Sequence, residues 1–140
     1  MRFLLVDKSS ITHGQDIFLT QKDIRQVQLA KGAILAGLKI LLKELNLGEN
    51  DISQILIAGA FGYHVRPESL QRIGLITPLL GDKLTFVGNS AKTGAQVVLL
   101  NKEARKRAES LTKDIRAVEL TVHPDFEREF IASMSFPFCT

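Results

Sequence analysis

The sequence predicts an α/β fold, a mixed and mostly parallel sheet covered by helices. Three observations predict it. Short apolar runs suited to strands alternate along the chain with segments of helical spacing. The run Ile55-Leu56-Ile57 is apolar throughout, as expected of a strand covered on both faces. Two strands also end abruptly in glycine, after Ala58 and after Val87, and a helical pattern follows each.

The elements follow in chain order. Residues 2–6, RFLLV, and 17–19 predict short strands joined by polar turn residues and Gly14. Thr20 is suited to cap a helix, and Asp23, three residues on, can reach back as the second half of a capping box. Ile24, Val27, Ile34, Leu38, Leu41 and Leu45 recur at helical spacing and form one apolar stripe. Ala30, Ala33 and Gly37 beside it let the helix approach a sheet closely, and Gly48 is the expected stop. A strand at 54–58 follows, then a short helix opened by Pro67 and closed by Gly74. Residues 84–87 predict another strand. Residues 90–111 carry helical spacing as two helices or one bent helix, 114–120 (DIRAVEL) predict a strand, and the stretch after Pro124 predicts a helix with Phe126, Phe130, Ile131 and Met134 on its apolar face.

Composition narrows the classes. The chain has 140 residues, enough for one domain that buries roughly two-thirds of its unfolded surface. It is 45% hydrophobic and 24% charged, which is ordinary for a soluble globular protein. No apolar run reaches the ~18 residues of a membrane span, and none at the start resembles a signal peptide. The single cysteine, Cys139, cannot build an intrachain disulfide, a zinc site or an iron–sulfur site, and a reducing cytoplasm is the expected setting. His13, His64 and His123 lack ligand spacing, so no protein-bound metal is expected. The basic cluster NKEARKR at 101–107 could meet phosphates, but no aromatic residues interleave to stack bases, and a solvated helix face is the reading favoured.

The two glycine corners carry the functional interest. Open parallel sheets bind ligands at the carboxyl ends of their strands. Ala58-Gly59-Ala60-Phe61-Gly62 forms the first such end, and Gly88-Asn89-Ser90 the second. A helix beginning at the second corner offers amide donors and a partial positive charge. Neither corner has the spacing of a P-loop or of a dinucleotide fingerprint. On pattern alone, tight turns and a ligand crevice both remain open.

Several segments together resemble one family. These are LTQKDIRQVQLAKGAILAG (19–37), AGAFG (58–62), IGLITP (73–78), VGNSAKTGA (87–95), VEL (118–120) and FP (136–137). In this order they resemble the C-terminal ASKHA domain of reductive activators of corrinoid proteins, over nearly the whole chain, with Lys92-Thr93 as a departure. ASKHA denotes the actin, sugar-kinase and heat-shock-chaperone ATPase fold, ribonuclease H-like in each of two lobes, with ATP held between them.

The resemblance implies that residues 1–140 are a single C-terminal lobe, a fragment or truncated relative of a larger activator. It further implies that Gly59, Ala60, Phe61, Gly62, Gly88, Asn89 and Ser90 face adenosine, ATP and Mg being shared with a first lobe. Such activators use ATP to drive electrons from an iron–sulfur domain to cobalt, restoring Co(I) in corrinoid methyl-transfer proteins, and their lobes open and close to couple the steps. Here the Asp-x-Gly phosphate turn and the cluster cysteines are absent from the sequence. The iron–sulfur cluster is therefore expected only in the parent protein, and this chain alone is expected to be inactive. The implied partners are the corrinoid protein, the first lobe, the iron–sulfur domain and a second copy of the chain, without nucleic acid or membrane.

Lys31 and Gln28 match the family pattern on the polar side of the long helix, where they contact nucleotide, contact the other lobe, or are simply solvated. Asp23 is a helix-start carboxylate rather than a metal ligand or base. His64 is either within reach of a ligand or incidental. Phe136 and Phe138 pack on the sheet or on a partner. The alternative to the nucleotide-binding lobe is a non-catalytic interaction or dimerisation module of the same fold. A third class, a nucleic-acid binder using residues 102–107, would show a strong salt dependence.

Overall fold

The computed structural model describes residues 2–10, 14–59 and 64–137. Its first strands, β1 (Arg2–Val6) and β2 (Ile17–Thr20), pair antiparallel from Arg2↔Thr20 to Val6↔Ile17. Helix α1 (Gln21–Glu44) follows directly. Thr20 Oγ1 accepts the Asp23 amide, while Asp23 Oδ2 accepts the Thr20 amide at 2.8 Å, the reciprocal box expected from sequence.

The helix stops before Gly48. Asn46 takes a left-handed conformation (φ 55°), the Leu47 amide donates to the Leu42 carbonyl at 2.9 Å, and the Asn46 amide donates to Lys43 at 3.0 Å. This is a Schellman ending with asparagine in the left-handed position. Gly48 instead opens the short 3-10 turn Glu49–Asp51.

Strand β3 (Ile55–Ala58), helix α2 (Pro67–Arg72) and strand β4 (Leu84–Gly88) come next, with β3 and β4 parallel. Residues 90–111 form two helices, α3 (Ser90–Leu100) and α4 (Lys102–Leu111). Asn101 divides them: its amide closes α3 on the Val97 carbonyl, and its side chain accepts from the Glu103 and Ala104 amides to open α4. Helix α5 (Phe126–Met134) is the last described element.

The structure corrects the expected sheet. Among the described residues there are two two-stranded sheets, one antiparallel and one parallel, rather than one mostly parallel sheet. The loop between β1 and β2 is short enough to return the chain as a hairpin, which fixes their antiparallel sense. The strand expected at 114–120 does not form; those residues are turn and irregular backbone leading to the 3-10 turn Leu120–Val122, and Ile115 is exposed. Alternating polarity makes a strand only where a neighbouring strand accepts its hydrogen bonds and side chains.

The face that α1 buries is also not the expected one. Val27, Ile34, Leu41 and Leu45 of the large-aliphatic stripe are exposed, whereas Gly32, Ala36, Gly37 and Ile40 are buried. The covering element is α5, not a sheet. A Cβ at Gly32 would lie 2.9 Å from Met134 Cγ and 3.3 Å from Phe130, so the absent side chain is what allows this approach. A second cluster of Leu70, Ile76 and Leu80 packs against the inner face of β3 and β4 through Ile55, Ile57 and Leu84.

The α1–α5 contact is bordered by ion pairs. Lys43 bonds Asp125, which also meets Arg128 at 3.0 Å. The Lys43 hydrogen bond chiefly, with Arg128 and His123 adding to it, holds the Asp125 carboxyl below its ordinary value of 3.8. A lowered carboxylate pKa contributes stability that is present above the ordinary value and lost as pH falls through the folded one. An NMR titration should place the Asp125 midpoint below 3.8, and Lys43→Met should return it toward that value. A midpoint unchanged by the substitution would remove Lys43 as the cause.

Candidate functional site

Parallel pairing brings the carboxyl ends of β3 and β4 side by side. Ile55 pairs with Leu84 and Ile57 with Phe86, and a register shift then sets Ala58 opposite Gly88. The Gly59 amide donates to the Gly88 carbonyl at 2.7 Å, so the two glycine corners are joined by a direct main-chain bond. Both glycines occupy the left-handed region, with φ of 94° at Gly59 and 64° at Gly88, where L side chains are strained. A Cβ at Gly59 would find nothing within 4 Å, and the same holds at Gly94 in the second turn of α3.

Helix α3 starts from this junction. Asn89 caps it, its Oδ1 accepting the Lys92 amide at 3.0 Å while its carbonyl accepts the Thr93 amide at 3.1 Å. The Asn89 side chain is thereby committed to the helix. Ser90 and the residues after it are exposed, and amides of a first helical turn have no partner within the helix. Gly59, Gly88, Asn89 and Ser90 thus come together in one place. Ala60, Phe61 and Gly62 lie outside the described residues. His64 is exposed in the turn before α2.

The walls of this junction are bare main chain and small side chains, with the amino end of a helix at one side. The only charge in the opening of α3 is Lys92, and among the described residues no group of three or more His, Cys, Asp or Glu could hold a metal ion.

Lys31 is where residue-level expectation and structure differ most. It does not lie on a solvated face: it is 3% exposed. Its Nζ donates to the Ser133 carbonyl at 2.8 Å and the Ser135 carbonyl at 2.7 Å, both at the end of α5, and lies 5.6 Å from the centre of the Phe136 ring. Burial, and then the charge of Lys39, holds its pKa below the ordinary lysine value. Pro137 rests on the turn at Gly74, where a Cβ would lie 2.7 Å from Pro137 Cγ. Lys31, Gly74 and Phe136-Pro137 thus converge. Gln28 is half-buried on the same helix. Such a cluster is signalled in sequence only by a lysine among small residues on a helix.

Residues 1–139 match the family described as the C-terminal domain of RACo, the ASKHA domain. The chain belongs to this family. Among curated relatives, the corrinoid activation enzyme RamQ of Eubacterium limosum is 36% identical over 134 residues, covering 96% of this chain and 23% of that protein. The [Co(II) methylated amine-specific corrinoid protein] reductase of Methanosarcina barkeri is 25% identical over 137 residues, covering 96% of this chain and 25% of that protein. A solved reductive activator for corrinoid, iron-sulfur protein superposes with a TM-score of 0.87 at 30% identity, over 97% of this chain and 22% of the other. The chain spans about a quarter of the length of the relatives it matches. No described helix is long and apolar enough to cross a membrane.

Proposed function

We infer that this chain is the C-terminal nucleotide-binding lobe of an ATP-dependent reductive activator that restores Co(I) in corrinoid methyl-transfer proteins. The observation that carries this is the hydrogen-bonded junction of Gly59 and Gly88 beside the exposed start of α3. In a member of this family, that junction is a floor against which adenosine lies on main chain. Small residues let the nucleoside approach, and the α3 amides meet its polar edge. ATP supplies the driving force for an electron step that the iron–sulfur domain of the parent cannot make unaided. The phosphates and Mg are held chiefly by the other lobe, because acidic and phosphate-binding groups are not gathered at this corner among the described residues. The chain's own part is to bind, orient and enclose the nucleoside.

The test is calorimetric titration of the native-length polypeptide with Mg-ATP. Saturable binding below millimolar concentration is the expected result. Absence of heat up to millimolar ATP, with retained binding to a corrinoid protein, would replace this reading by that of a non-catalytic interaction module.

A further inference from the structure

We propose that the cleft between α1, residues 74–77 and the end of α5 is a binding site for a small organic anion, a carboxylate with a short apolar body. The site does not rest on the nucleotide reading. Among the described residues, none of Gly59, Gly88, Asn89 and Ser90 lines this cleft.

Burying an ammonium such as that of Lys31 is costly unless hydrogen bonds and an opposite charge meet it. Two of its three donors go to the Ser133 and Ser135 carbonyls. Among the described residues no carboxylate pairs with it, and the charge that bears on it, that of Lys39, has the same sign. The Lys39 side chain lines the same cleft, is 46% exposed, and donates to the buried Ser133 hydroxyl at 3.2 Å. Its neighbour Glu129 lies 3.7 Å away and outside the lining. Glu49, which accepts the Thr77 hydroxyl at 2.8 Å, is the one acid in the lining among the described residues. Lys31 and Lys39 against Glu49 leave the walls with an excess of positive charge.

The rest of the lining selects the kind of anion. Leu35, Leu38, Leu80 and Phe136 give the cleft apolar walls. A doubly charged phosphate would lose hydration against such walls without recompense. A monoanion instead buries one charged end and lays its carbon chain on the leucines. The cleft is half open to solvent and holds about 270 Å³, roughly nine times the volume of a water molecule in the liquid. That is smaller than a drug-sized pocket and suits a carboxylate of a few carbons. Lys39 makes the exposed contact with the carboxylate. Lys31, in surroundings of low dielectric, adds a field that water screens weakly.

Saturation-transfer NMR on the native-length polypeptide, with isovalerate and its neutral amide isovaleramide, tests this. Isovalerate should bind saturably with a Kd of about 1 mM, the affinity open to a ligand of so few atoms. Isovaleramide should bind about 10-fold more weakly, having lost the charge. Lys39→Met should weaken isovalerate about fivefold and Lys39→Arg should not, and the exposure of this side chain lets both variants fold. Glu49→Gln should tighten isovalerate about threefold, because the glutamine oxygen still accepts from Thr77 and only a repelling charge is lost. A purely structural role for Glu49 would give the opposite sign or no change. Equal affinity for acid and amide, or no saturation by about 20 mM isovalerate, would overturn the proposal. So would displacement of isovalerate by Mg-ATP, which would place the carboxylate at the glycine corners.

Discussion

Lys31→Met should lower the stability of the chain by about 3 kcal/mol, the sum of losing two charge-assisted hydrogen bonds and leaving the buried Ser133 carbonyl without that donor. The methionine matches the aliphatic length of the lysine, so the helix and its packing are kept. What disappears is the ammonium that holds the Ser133 and Ser135 carbonyls at the end of α5. At this chain length a change of that size lowers the melting temperature by about 10 °C. The amides of residues 134–136 should also exchange faster, because Phe136 and Pro137 are placed by the same contact. A variant that melts within about 2 °C of the parent would show that the carbonyls find other donors and that Lys31 is not the clamp.

Gly59→Val should weaken Mg-ATP binding to the native-length protein by about 10- to 100-fold, since overfilling a fitted surface costs about 1–3 kcal/mol and each 1.4 kcal/mol is tenfold. Two effects need separation. The first is backbone strain at φ 94°, which alanine and valine share and which costs about 1–2 kcal/mol of folding stability. The second is the space the side chain takes. A Cβ at this position meets nothing within 4 Å, so the first atom of the valine side chain points into open space. It projects into the volume assigned to the nucleoside. Affinity should therefore fall from glycine to alanine to valine, while the two variants melt at similar temperatures. Gly88→Val should behave in the same direction. Affinities within about threefold for all variants would leave both glycines with turn geometry as their sole role.

What could be seen in the sequence was what short-range chemistry decides. The Thr20–Asp23 box and Pro67 at the start of α2 arise from groups within a few positions of each other and are found where expected, and of the two alternatives for residues 90–111 the two-helix one forms. The pair of glycine corners was legible for the same reason, since each ends a strand and precedes a helix. Their junction required the parallel register of β3 and β4, which pattern suggested only through the alternation of strand and helix.

Features decided by distant partners were hidden. Residues 114–120 have strand-like alternation but no strand beside them. The large aliphatics of α1 mark a face that stays largely exposed; of the small residues expected beside them, Ala30 and Ala33 are exposed and Gly37 is buried, while α5 lies against Gly32. Lys31 looked solvent-facing because its acceptors are backbone carbonyls about a hundred positions away, and carbonyls leave no trace in residue identity.

The bond from the Gly59 amide to the Gly88 carbonyl has a mechanical consequence. One corner cannot be shifted without dragging the other, so any tilt of α3 is felt at the end of β3. Attempts to redesign this corner should treat residues 59 and 88 as a single design unit, varied jointly, because retuning either in isolation would warp its neighbour.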